Sequence, residues 1–174
     1  MHDAVMEGWH DFFLLAGTAG VTLTGLLFVV VSFGWRVIAE RHSTGLKAFI
    51  TPNIYHLTAA FVVSEVLLAP IASQRVIGAA LVIGGAGSLA YLFYTEAHRK
   101  WRDNQLPAVD WVWYVGVPWT AYGVLLAAGA TCFVDPAWAV SGVGVCVVLL
   151  LLAGIRNAWD LIIWMMRQNP VDAS

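Results

Sequence analysis

Glu65 stands in the apolar run Phe61-Val62-Val63-Ser64-Glu65-Val66-Leu67-Leu68. A carboxylate in such surroundings costs at least about 2–3 kcal/mol if charged, so an ionisable residue there is a functional-site candidate by default. Three roles are open: ion or proton handling, a hydrogen-bonded link between helices, or an ion pair with Arg75. Thr58 lies one heptad earlier and shares its helical face. A second set of hydroxyls, Thr18, Thr22 and Thr24, falls within seven residues. Such a stripe can line a wet path, or its hydroxyls can bond back to their own helix.

Small residues accompany these hydroxyls. Ala16, Gly20 and Thr24 recur at i, i+4 and i+8, with Thr18, Thr22 and Gly25 on the neighbouring face. Ala80, Gly84 and Ser88 repeat the spacing later. In a membrane this pattern lets helix backbones approach closely. Self-association through Ala16, Gly20 and Thr24 is therefore expected.

Other polar groups suit local roles. His56, with Asn53 and Tyr55, is expected near an interface in the second turn of its helix, on the face opposite Glu65. Arg156 and Asp160, four residues apart, form an ion pair. Pro118 bends its helix by removing the hydrogen bond to the Tyr114 carbonyl, or exposes that carbonyl to a cavity. His2, Asp3, Glu7, His10 and Asp11 cluster at the N-terminus without a recognised metal spacing. His42 and His98 fall in loops. Cys132 and Cys146 sit in apolar context and are expected to be buried free thiols. HExxH, GxSxG, a Cys/His pair and an intramembrane carboxylate dyad are all missing, so neither an enzyme, a metal site nor a cofactor is expected.

The elements that must carry these residues follow from composition. Of 174 residues, 60% are hydrophobic and 11% charged, and mean hydropathy is +0.75. Soluble domains average about 45–50% and 25%. Disorder, nucleic-acid binding and a water-soluble fold are excluded. The predicted fold is all-α, a single transmembrane domain over 1–174 with five spans at about 12–38, 52–72, 76–97, 111–133 and 138–166. The second span starts at Thr51-Pro52, read as a cap followed by proline in the first turn. The fourth and fifth spans are joined by Val134-Asp135-Pro136 as a tight hairpin. The longest polar connection, His98 to Asp110, has thirteen residues, too few for a soluble domain.

Eight of the nine lysines and arginines fall on one side of this arrangement, and Arg75 alone on the other. The positive-inside rule then puts the N-terminus outside and the C-terminus in the cytoplasm. Trp35, Trp101, Trp111, Trp113, Trp159 and Trp164 mark the inner interface, and Trp9 and Trp138 the outer. No basic n-region precedes the first apolar run, so a cleavable signal peptide is not expected.

The stretch Gly17-Thr18-Ala19-Gly20-Val21-Thr22-Leu23-Thr24-Gly25-Leu26-Leu27-Phe28-Val29-Val30-Val31-Ser32 resembles the first helix of a family of small prokaryotic multi-span membrane proteins with a Gly/Thr-rich "GLLFVxxS" segment. His56-Leu57-Thr58-Ala59-Ala60-Phe61 is similar to their second helix. The resemblance implies a prokaryotic cell-membrane location and brings no activity with it.

Two functional classes fit. One is a homo-oligomeric channel or transport protein for ions or small solutes, with its path between or around protomers because five short helices enclose little space. The other is a non-conducting accessory subunit that binds partner membrane proteins. The lipid bilayer is a partner in both, and nucleic acid in neither.

Overall fold

The computed structural model describes residues 2–33, 44–70, 73–98 and 111–168, except the side chains of 2–7, 44–49, 97, 98, 164, 165, 167 and 168. Within these residues every regular element is helical: α1 (His2–Phe33), α2 (Thr44–Leu68), α3 (Gln74–His98), a π-helical turn (Val112–Gly116), α4 (Val117–Thr131) and α5 (Pro136–Gln168). Four stretches, Gly8–Phe33, Gln74–Glu96, Val112–Thr131 and Pro136–Ile163, are long and apolar enough to cross a membrane. This is the make-up of a multi-pass membrane protein. α2 is the exception, because Asn53, His56, Ser64 and Glu65 dilute its apolar content.

The surface fits the same assignment. Leu15, Ile83, Phe93 and Trp138 are each more than 65% exposed. Apolar exposure on this scale would promote aggregation in water but is ordinary against hydrocarbon. The interior is filled by Phe13, Ala60, Tyr122, Leu125, Val143, Val147 and Leu150.

α5 is the central helix. It packs on α4 along one flank and α2 along the other, with a smaller contact to α1. α1 lies on α2, and α3 lies on α4. Glycine sets the closest of these approaches. A Cβ on Gly129 would stand 2.7 Å from the Val82 amide nitrogen, and one on Gly85 2.8 Å from that of Leu126, so α3 and α4 meet backbone to backbone. α2 and α3, although consecutive, barely touch. An open groove separates them.

Helix ends follow local chemistry where the sequence supplies it. The α4–α5 turn is closed by Asp135, whose Oδ1 accepts from the amides of Ala137 at 3.1 Å and Trp138 at 3.3 Å, with Pro136 in the first turn. α2 departs from expectation. Thr51-Pro52 does not start the helix; α2 begins at Thr44 and carries Pro52 inside it. The cost of an internal proline is one lost hydrogen bond and a local clash, which neighbouring helices can absorb. The far end is shorter than expected, because α2 stops at Leu68 and a turn follows at Pro70. Pro118 acts through its neighbourhood. The ladder ahead of it widens into the π turn, where the Val117 amide donates to the Val112 carbonyl five residues back. That shift accommodates the ring without an abrupt end to the helix.

Candidate functional site

The extended start of α2 changes the position of His56. It is the midpoint of Thr44–Leu68, twelve residues from either end, and is 1% exposed. The expected interfacial cluster is thus a core cluster. His56 Nδ1 and the Tyr122 hydroxyl lie 2.9 Å apart, joining α2 to α4. Asn53, one turn earlier, is equally buried. With its carboxamide oriented to satisfy both ends, Nδ2 donates to the Gly154 carbonyl at 3.0 Å and Oδ1 accepts from the Ala158 amide at 3.1 Å. That clip ties α2 to one turn of α5. Gly154 permits it, since a Cβ there would stand 2.7 Å from Leu57 Cγ. Asn157 is buried beside this turn, and among the described residues its Oδ1 meets no hydrogen-bond partner.

Tyr55 extends the polar set to α3. Its hydroxyl lies 3.0 Å from Ser88 Oγ, and its ring centroid is 4.5 Å from that of Tyr91. Ser88 Oγ donates to the Gly84 carbonyl at 2.7 Å. Tyr55 therefore supplies the proton between the two hydroxyls, which leaves its own oxygen as an acceptor.

The opposite face of α2 carries Glu65 and Thr58, both exposed. Glu65 is shallower on its helix than expected, in the last turn, three residues before Leu68. Its Oε1 lies against α1, 3.4 Å from where a Cβ of Gly17 would be. Gly17 is five residues into the apolar run that begins at Phe12, or about 8 Å along the helix. No ion pair joins Glu65 to Arg75 among the described residues, and Arg75 is exposed. A carboxylate at a helix C-terminus opposes the macrodipole, so stability of α2 does not account for it. Thr58 diverges from Glu65 despite the shared face. It lines the α2–α3 groove with Tyr55, Ala59, Gly84 and Ser88.

The threonines of α1 do not converge. Thr18 and Thr22 are exposed, and Thr18 donates to its own Leu14 carbonyl at 2.7 Å. Thr24 is half-buried and donates to Gly20 at 2.8 Å. Small residues divide by surroundings rather than by spacing. Ala16 is buried, and a Cβ on Gly20 would meet the Leu57 carbonyl at 3.0 Å and the Phe61 amide at 3.2 Å. That stripe seats α1 on α2 inside the protomer, which corrects the expectation that it mediates self-association. Gly25 and Gly84, also expected to pack, have open space where a Cβ would stand. Ala80 is half-buried on α3.

Elsewhere, Arg156 and Asp160 pair as expected, and Tyr114 donates to Asp160 Oδ2 at 3.2 Å. Trp119 Nε1 donates to Glu96 Oε1 at 2.7 Å. Cys132 and Cys146 are free and buried, and burial pushes the Cys132 thiol up from its ordinary range. His10 Nδ1 lies 3.2 Å from Asp11 Oδ1 on an exposed surface. The side chains of His2, Asp3 and Glu7 lie outside the described residues, as do His42, Arg36, Arg41, Lys47, Arg99, Lys100, Arg102 and Arg167.

Sequence reasoning missed Tyr122, Asn157 and the clip made by Asn53. A signal was present: Asn53 and His56 share a face that opposes the exposed one. Reading Thr51 as a cap placed that face at the interface, where polar residues need no partner. No protein-family model, curated protein or solved structure matches the chain.

Proposed function

We propose that this is a five-span, homo-oligomeric channel or transport protein for ions or small solutes, with the N-terminus outside and the C-terminus cytoplasmic. The observation that carries the reading is Glu65. It is exposed on the flank of the protomer, rests on the glycine of a neighbouring helix, and has no hydrogen bond or ion pair among the described residues. A carboxylate left against lipid is strongly disfavoured, whereas one facing water or a second subunit is not. The protomer centre is occupied by Phe13, Tyr122 and Leu125, so a path runs between copies rather than through one. Thr18 and Thr22, exposed on α1, would line it with Glu65. A non-conducting subunit that presents the same carboxylate to a partner membrane protein is the competing reading, and flux separates the two.

The test is ion and proton flux in liposomes with the wild-type protein and Glu65→Gln. Glutamine keeps the shape and loses the titratable charge. The expected result is conductance in the wild type and at least a tenfold loss in the variant, with unchanged folding and oligomer size. Absence of flux from correctly assembled wild-type protein rejects the channel in favour of the accessory role. The topology has its own check: cysteines placed at Ser73 and Ala137 label from outside, and those at Ser43 and Asn104 only after permeabilisation.

A further inference from the structure

We propose that the groove between α2 and α3 binds a neutral isoprenoid hydroquinone drawn from the bilayer, with a ring hydroxyl held by Tyr55 and Thr58. This is independent of the Glu65 reading and concerns a different face of α2. The groove has a volume of about 340 Å³, within the roughly 300–1,000 Å³ of small-molecule sites. It opens sideways, since Thr58, Val62, Ile83, Gly84 and Gly87 on its rim are all exposed.

Its chemistry is selective. None of the residues lining it is charged, so a phosphate or ammonium head group has no counter-charge there. The polar groups sit toward one end, at Tyr55, Thr58 and Ser88. Because the Ser88 proton goes to Gly84 and the Tyr55 proton to Ser88, Tyr55 offers only an acceptor. Thr58 offers a whole hydroxyl. Seven other hydroxyls in these helices, those of Thr18, Thr24, Ser32, Ser64, Ser88, Thr120 and Ser141, bond back to a carbonyl four residues earlier. Among the described residues Thr58 makes no such bond. An acceptor and an unspent hydroxyl one turn apart match a ligand O–H, which donates to the first and accepts from the second.

The walls favour a ring at that end and a branched chain beyond it. Gly84 and Gly87 have nothing within 4 Å of a would-be Cβ, leaving flat backbone opposite Ala59. Farther along, Val62, Val63 and Ile83 line the groove, a surface suited to isoprene units. The floor is Tyr122, whose hydroxyl is turned to His56.

The test is native mass spectrometry of the protein from phosphatidylcholine nanodiscs loaded with one of three probes. These are a hydroquinone bearing two isoprene units, kept reduced; its dimethyl ether, with the same ring and tail but no O–H; and dioleoylglycerol, with a hydroxyl but no ring. The expected result is one hydroquinone per chain, with the ether and Thr58→Val each weakening it about tenfold, the effect of one net hydrogen bond. Gly84→Leu fills the groove at a position with room for the side chain and should abolish the adduct without altering thermal unfolding. The ligand-side comparison needs no variant to fold. No adduct, equal binding of the ether, equal binding of dioleoylglycerol, or retention of the adduct in folded Gly84→Leu would each overturn the proposal.

Discussion

On one face of α2, Asn53, His56 and Ser64 are each at most 1% exposed and each holds a hydrogen bond to protein. On the other, Thr58 and Glu65 are exposed and hold none among the described residues. The same helix thus carries two kinds of polar residue. Those turned inward are structural: Asn53 links α2 to α5, His56 links it to α4, and Ser64 bonds back to the Ala60 carbonyl, all where an unpaired buried group would cost about 1–3 kcal/mol. Those turned outward gain nothing within the protomer. Their partners must come from outside it, as solute, ligand or second subunit. Polarity inside a packed helix is therefore weak evidence for function until its bonds have been followed.

Glycines repeat the contrast and give the largest expected effect. Gly20→Leu forces a branched side chain into the Leu57 carbonyl and the Phe61 amide, both backbone atoms that cannot yield without parting α1 from α2. Overpacking of this kind costs about 1–3 kcal/mol or more, read as a marked loss of thermal stability in detergent. Gly25→Leu, on the open face, should leave unfolding unchanged and act only on the oligomer. If both variants unfold alike, the division between inner and outer faces of α1 is wrong.

Next in size is the buried hydrogen bond. Tyr122→Phe leaves His56 Nδ1 without its hydroxyl partner and should cost about 1–2 kcal/mol, the upper range of interhelical bonds in membranes. Thr18→Val is the matched control, because its hydroxyl bonds only within its own helix. A difference below about 0.3 kcal/mol between the two in reversible unfolding would dissolve the comparison.

Cysteine chemistry gives the smallest effect. Cys132, at the α4–α5 turn, is 6% exposed, and its raised pKa leaves less thiolate than an ordinary thiol at the same pH. Alkylation by a maleimide should be slower near neutrality than that of an ordinary thiol, with a rate that keeps rising past the pH at which an ordinary thiol levels off. Rapid labelling at pH 7 would show that the turn opens.

Much of the architecture was legible without coordinates. Long apolar runs dictate helices, because a backbone without water must satisfy its own hydrogen bonds. Asp135-Pro136 specified the turn between α4 and α5 through chemistry confined to four residues. The pairing of Arg156 with Asp160 followed from one helical turn of separation. These features are local, and the sequence by itself determined them. What it could not determine was which surface each face would meet. Thr51-Pro52 has the form of a helix start, yet α2 runs through it, moving His56 from an interface to the middle of the bundle. Gly20 and Gly84 sit in similar small-residue patterns, yet one touches a backbone and the other borders an open groove. Thr58 and Glu65 share a face at a separation of seven, yet one turns to α3 and the other to α1. Only the packing of five helices decided these outcomes, because contact between helices is set by atoms far apart in the chain, and periodicity fixes the direction of a side chain but not its neighbour.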